Sequence, residues 1–123
     1  MLSASELKKF HFNPPRVGLK RDPKVQEAYD EHIKDKKNLS SFLDKVNRNL
    51  DSNCYYLCDN DYPYWTEKGI KHLVCWYRDP TEKTNDIFDE LKTKFDIVSC
   101  WKNLSVNCSI KQVHHLHIFI RTE

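Results

Sequence analysis

With 123 residues, 31% of them charged and 39% hydrophobic, the chain has the size of one domain that can bury a core without disulfides or a metal. A net charge of +2, with the lysines spread along the chain, does not support a nucleic-acid tail or a polybasic membrane anchor. No apolar run is long enough to cross a bilayer, and "MLSASELKKFHF" lacks the apolar stretch of a signal peptide.

Residues 1–22 read as an irregular lead-in, punctuated by Pro14, Pro15 and Gly18. Pro23 suits the first turn of a helix capped by Asp22, which opens a helical region over 23–50. Val25, Ala28, Tyr29 and Ile33 fall on one face of that helix, where they are expected to pack. "KDKK" at 34–37 reads as a solvated helix end. A second helix is expected from Ser40 or Ser41, because Ser41 and Asp44 resemble a capping box and Phe42, Leu43, Val46 and Leu50 form a stripe.

The period then changes, and residues 54–121 read as a strand-rich core. Strands are expected over 54–60 and 70–78, joined by a turn at Pro63 and Gly69. A polar loop over 79–85 leads to an amphipathic helix carrying Ile87, Phe88, Leu91 and Phe95. A strand over 96–103, a polar loop and a last strand over 113–121 complete the chain. The fold class is α+β, a mostly antiparallel sheet with N-terminal helices and one inserted helix.

Side chains on a strand alternate between faces. On the last strand His114, Leu116, Ile118 and Ile120 make an aliphatic core face, and His115, His117, Phe119 and Arg121 take the other. On strand 70–78, His72, Val74 and Trp76 share one face, and Leu73, Cys75 and Tyr77 the other. If these strands are neighbours, His72 joins His115 and His117. A lone histidine on such a face is ordinarily solvated, whereas two at i and i+2 in a row with Arg121 point to a site. Histidines so spaced can also chelate a transition metal with His72 as third ligand. No carboxylate accompanies them in the sequence, and no metal or other cofactor is assigned.

A buried tryptophan more often fills a core than lines a site. Trp101 is followed by Lys102 and Asn103, an aromatic, a cation and an amide that suit a phosphorylated or heteroaromatic ligand. Cys54 and Cys58 are not at zinc-site spacing. The five cysteines, an odd number mostly in apolar strand contexts, read as reduced thiols of a cytoplasmic protein.

The blocks "NDYPYWTEKGIKHLVCWYRDP" and "VSCWKNLSVNCSIKQVHHLHIFIR" resemble the two signature blocks of the N-acetylglucosamine-induced protein family, a domain family of largely unknown function. The matching positions include Asn60, His72, Trp76, Trp101, Lys102, Asn103, His115, His117 and Arg121, and the resemblance spans roughly residues 20–121. More remotely, the strand, "NDYPY" turn, Gly–His strand and final "HLHIFIR" strand resemble the histidine-triad nucleotide-binding proteins. That resemblance implies a histidine-triad-like fold in which His117 attacks a nucleotide's α-phosphorus. His115 would stand beside it, and Lys102 and Arg121 would stabilise phosphate charge. The chain departs from the triad at Phe119, where the pattern has His or Gln, so Asn103 or Ser109 would have to replace a phosphate contact.

Two functions stay open. One is binding or processing of a nucleotide, sugar-nucleotide or other phosphorylated small molecule, through a pocket of His72, Trp76, Trp101, Lys102, Asn103, His115 and His117. The other is a non-catalytic protein-interaction module with structural histidines. Nucleic-acid binding by stacking on the tryptophans fits this charge poorly, and a membrane partner is not expected. Two glycines among many Lys, Asn, Asp and Tyr suit an AT-rich genome, such as that of a large virus.

Overall fold

The computed structural model describes residues 1–16, 19–78, 84–102 and 114–122. Helices α1 (Ala4–Lys8), α2 (Pro23–Ile33) and α3 (Lys36–Leu50) precede strands β1 (Tyr55–Asp59) and β2 (Ile70–Tyr77). Helix α4 (Thr84–Leu91) then leads to β3 (Asp96–Trp101) and β4 (His114–Arg121). The strands form one antiparallel sheet in the order β1-β2-β4-β3, so the fold is α+β as expected. No helix among the described residues is long and apolar enough to cross a membrane.

Residues 1–22 hold more order than a lead-in. Ser3 and Glu6 close a capping box on α1, each side chain bonding the other's backbone N–H. The helix carries Leu7, fully buried, onto the sheet. The chain then caps the β3 edge: Phe12 donates its N–H to the Cys100 carbonyl at 2.8 Å, and His11 Nδ1 accepts the Cys100 N–H at 3.0 Å. Phe12 reaches this position with φ of 53°, in the left-handed region. An edge strand closed by a side chain and a turn offers less to another chain.

Asp22 accepts the Lys24 N–H and Pro23 begins α2, as the sequence implies. Helix α3 starts earlier than Ser40 or Ser41. Its cap is Asp35, which accepts the Lys37 N–H, so "KDKK" is the junction between α2 and α3. An aspartate cap outweighs the polar first turn that followed it. At the other end Arg78 ties β2 to α3 through the Asn47 carbonyl and the Asp51 carboxylate.

Both faces of the sheet are covered. Leu73, Cys75, Tyr77, Cys100, Leu116, Ile118 and Ile120 pack against Ile87 and Leu91 of α4. The histidine face lies under α1 and α3: Leu7 meets Trp101 and Phe119, and Val46 and Leu50 meet Val74 and Trp76. A bulge between Ile97 and Ser99 turns Val98 toward the α1 side as well. Helix α2 differs from expectation, for none of its residues is buried and Ile33 stays 55% exposed. Tyr29 and Ile33 of its apolar stripe line a cleft instead of packing on the core.

Candidate functional site

The register of β2 against β4 sets His72 opposite Phe119, Val74 opposite His117 and Trp76 opposite His115. All six share the face beneath α1 and α3, and side chains opposed across an antiparallel pair stand in contact. The result is a continuous aromatic row. Trp76 lies 4.7 Å from His115, His115 lies 5.3 Å from His117, and His72 stacks on Phe119 at 4.3 Å. Trp101, from β3, backs the row at 4.8 Å from Phe119. His72, His115 and His117 are all buried, so this face is no solvated surface.

The "NDYPY" segment closes the row from outside. Asn60 Oδ1 accepts the Tyr62 N–H at 2.8 Å, an Asx turn that reverses the chain after β1. The turn drops Tyr64 over the histidines, 4.9 Å from His72 and stacked on His117 at 5.4 Å. The same turn holds Tyr62 against Tyr29 and His32 of α2.

Hydrogen bonding assigns the imidazole protons. The Tyr64 backbone N–H donates to His72 Nδ1 at 3.1 Å. A main-chain amide cannot accept, so His72 Nδ1 carries a lone pair and its proton sits on Nε2. His72 Nε2 lies 2.8 Å from His117 Nδ1, so His72 donates and His117 Nδ1 accepts. A neutral His117 then carries its proton on Nε2. Protonating His117 would put a hydrogen on Nδ1 facing the Nε2–H of His72. Burial is the main cause that holds His72 neutral, down to about 3, with Arg21 and His115 adding to it. Burial likewise pushes His117 well below the ordinary histidine range, with His72, His115 and Arg21 as further causes.

Between this row and α2 opens a cleft of about 460 Å³. Of the residues singled out from the sequence, Asn60, Trp76, His115 and His117 line it. His72 and Trp101 stand behind, each against His117. Lys102 does not join them: its ammonium lies 2.9 Å from His114 Nδ1 and 6.0 Å from the centre of the Tyr77 ring, on the α4 side of the sheet. Arg121 shares the parity of His117 but lies at the far end of β4, exposed, 3.6 Å from Asp96. Both cations expected to meet phosphate charge are thus away from the cleft. Asn103 and Ser109 lie outside the described residues. Phe119, where the triad pattern has a histidine, is fully buried core.

The cation the sequence reading missed is Arg21. Its Nε–H donates to the Tyr62 carbonyl at 2.7 Å, and its guanidinium sits 4.3 Å from the Tyr29 ring centre and 5.2 Å from that of Tyr64. It lines the cleft, half-buried, with no carboxylate at salt-bridge distance among the described residues. Asp59, also in the lining, is engaged by Lys71 at 3.1 Å, which leaves Arg21 and Lys36 against Asp61. Nothing periodic marks Arg21 in "LKRDP"; only the fold brings it to the histidines.

Among the described residues no group of three or more His, Cys, Asp or Glu is arranged to hold a metal ion. His72 has both ring nitrogens in hydrogen bonds, so it has no lone pair left for a third ligand. Among the described residues, the two buried side-chain polar atoms without a partner are Trp76 Nε1 and Ser99 Oγ, both on the histidine face. Beside Trp76 Nε1 lies the Cys58 thiol, a weak acceptor.

Residues 41–99 match the model of a family described as a protein of unknown function, DUF3605. The matched span ends before β4 and its histidines. No curated protein matches the chain. The crystal structure of HTC1 superposes with a TM-score of 0.71, covering 100% of this chain and 86% of that one at 19% identity. At that identity the likeness is one of fold. Neither match carries the N-acetylglucosamine-induced or histidine-triad resemblance.

Proposed function

We propose that the cleft between α2 and the histidine face binds an anionic small molecule with a ring, of the class of nucleotides, sugar-nucleotides and other phosphorylated compounds. The observation that carries this reading is Arg21, a half-buried guanidinium without an acid partner among the described residues, set on aromatic rings at the cleft wall. A partly desolvated guanidinium without a carboxylate offers its remaining N–H groups to an anionic ligand. The cleft has the volume usual for small-molecule sites, and Tyr29, Tyr62 and Trp76 supply walls for a planar group. Asn60 and Asp61 at the rim suit hydroxyl groups such as those of a sugar.

The reading is one of binding. The nucleophilic role that the histidine-triad resemblance implies for His117 needs a lone pair on the ring nitrogen that attacks. The bond from His72 occupies Nδ1 and leaves the proton on Nε2, so the resting site opposes that role.

A thermal-shift panel of nucleotides, nucleotide sugars and sugar phosphates tests the proposal. A cognate ligand at roughly 100 times its Kd stabilises the fold by about 2.7 kcal/mol. Absence of stabilisation by every member at millimolar concentration would remove it. A second reading, a protein-interaction module, has one observation in its favour. Ile33 and Leu39 at the cleft rim are 55% and 38% exposed, apolar surface that a partner's side chains would cover. It requires that charge-removing changes at Arg21 leave binding intact.

A further inference from the structure

The charge that a cleft offers limits the charge of what it holds. Arg21 and Lys36 are the Lys and Arg side chains of the lining, and Asp59 and Asp61 are its carboxylates. Lys71 engages Asp59 at 3.1 Å. Lys36 and Asp61, both exposed, oppose one another in sign. Among the described residues the fixed charge left over is one guanidinium, the half-buried Arg21.

A polyphosphate ordinarily finds further contacts at a helix N-terminus, where unpaired backbone N–H groups and the helix dipole favour negative charge. Two helices begin beside this cleft, α2 just after Arg21 and α3 at Lys36. Each already carries its own anion. Asp22 accepts the Lys24 N–H at 3.0 Å, and Asp35 accepts the Lys37 N–H at 2.9 Å. A phosphate brought to either end would meet a carboxylate. Asp61 adds another, next in sequence to the Tyr62 carbonyl that holds Arg21.

Resting on the binding function proposed above, we infer that the cleft takes a phosphodiester, with a single negative charge beside its ring, in preference to phosphomonoesters and polyphosphates, and that Asp61 sets this limit.

The rest of the lining agrees. A phosphodiester presents two unesterified oxygens that share one charge, which suits a single planar guanidinium. Arg21 gives its Nε–H to the Tyr62 carbonyl, and no ion pair among the described residues takes its other nitrogens. Tyr29, Tyr62 and Trp76 give a planar group contact without adding charge. A second negative charge on the ligand would face Asp61 and the two helix caps with no half-buried cation to meet it.

Phenyl phosphate and methyl phenyl phosphate test this directly. They share a ring and differ by about one charge at about pH 7.5, because a phosphomonoester loses its second proton at about pH 6. Amide chemical-shift titrations at low ionic strength, where rim charges are least screened, compare them. The methyl ester should bind about two- to fivefold tighter, the scale of an exposed charge interaction. The cyclic phosphate of adenosine should likewise bind tighter than its triphosphate. Equal or tighter binding of phenyl phosphate, or of the triphosphate, overturns the inference and leaves the cleft proposal standing.

Asp61→Asn, at an exposed side chain, should narrow the preference between the phenyl esters by about twofold or more. An unchanged ratio overturns the part assigned to Asp61. Arg21→Gln should abolish binding of both esters, and binding retained by that variant overturns the charge count. If neither ester and neither nucleotide binds the natural chain at millimolar concentration, the inference and the cleft proposal fall together.

Discussion

On one side of the sheet Leu73, Leu116, Ile118 and Ile120 meet Ile87 and Leu91 of α4, and the packing is aliphatic. On the other, three histidines, two tryptophans, Tyr64 and Phe119 stack under α1 and α3. The two faces are equally buried and come from the same strands by the same alternation. They differ in what burial demands. Aliphatic side chains need only volume matched to volume, whereas a buried imidazole needs each nitrogen satisfied. The histidine face meets that demand with a relay from the main chain, and among the described residues it also holds both orphaned side-chain polar atoms. These buried polar groups lie beside the cleft to which the proposed binding function is assigned.

The contrast can be broken most strongly through volume. Trp101→Ala, at a fully buried position stacked on Phe119, should cost about 3–5 kcal/mol, and Leu116→Ala on the α4 side about 2–5 kcal/mol. Chemical denaturation measures both, and a loss below about 1 kcal/mol at either would mean that its face is not packed as described.

Acid separates the faces chemically. Burial depresses His72 and His117 in the folded chain, so below the unfolded value of about 6.5 the unfolded chain binds more protons. Stability is therefore full above about pH 6.5 and falls as the pH drops toward the folded value, which for His72 is about 3. The slope approaches about 1.4 kcal/mol per pH unit for each group. Urea titrations from neutral to about pH 5 should show this decline in the natural chain, and a His72→Gln, His117→Gln double variant should flatten it. A natural chain as stable at pH 5 as at pH 7 would contradict the neutral relay.

Removing one link sharpens the comparison further. His72→Leu strands the Tyr64 N–H and His117 Nδ1 in the interior, at about 1–3 kcal/mol for a buried group left unmade. Ile118→Leu, conservative on the α4 face, should stay below about 1.5 kcal/mol. Denaturation curves showing equal losses would mean that the relay has no special weight. Ser3→Ala weakens only the cover of the histidine face, by about 0.5–2 kcal/mol through loss of the α1 cap. Arg21→Gln should change stability least, within about 0.5 kcal/mol, while abolishing the thermal shift of any anionic ligand. A retained shift would move the anion away from Arg21.

Periodicity recovered the strands and the split of β2 and β4 into two faces, including the grouping of His72, Val74 and Trp76. Asp22–Pro23 was readable as a cap because its chemistry is local. The Ser3–Glu6 box was equally local and would have disclosed α1, but the prolines that follow drew the whole segment into one irregular class. Asp35 sits within a charged run in the sequence, and an aspartate before a stripe is also a cap. The candidate site was legible only in its strand residues. Lys102 and Arg121 shared a neighbourhood with the histidines in sequence and lost it in space, one to the opposite face and the other to the sheet end.

The sequence by itself determined which side chains share a face, because alternation on a strand and recurrence on a helix are properties of neighbouring residues. It left undecided which strands pair and what covers each face. Those depend on contacts between distant segments: β2 beside β4, α1 and α3 over the histidines, and a turn that lowers Tyr64 onto them. The tertiary structure alone brought Arg21 to the cleft, left the stripe of α2 unburied above it, and fixed the protons of His72 and His117. A tautomer is a matter of which donor stands within 3.1 Å, and that donor lies on another segment of the chain.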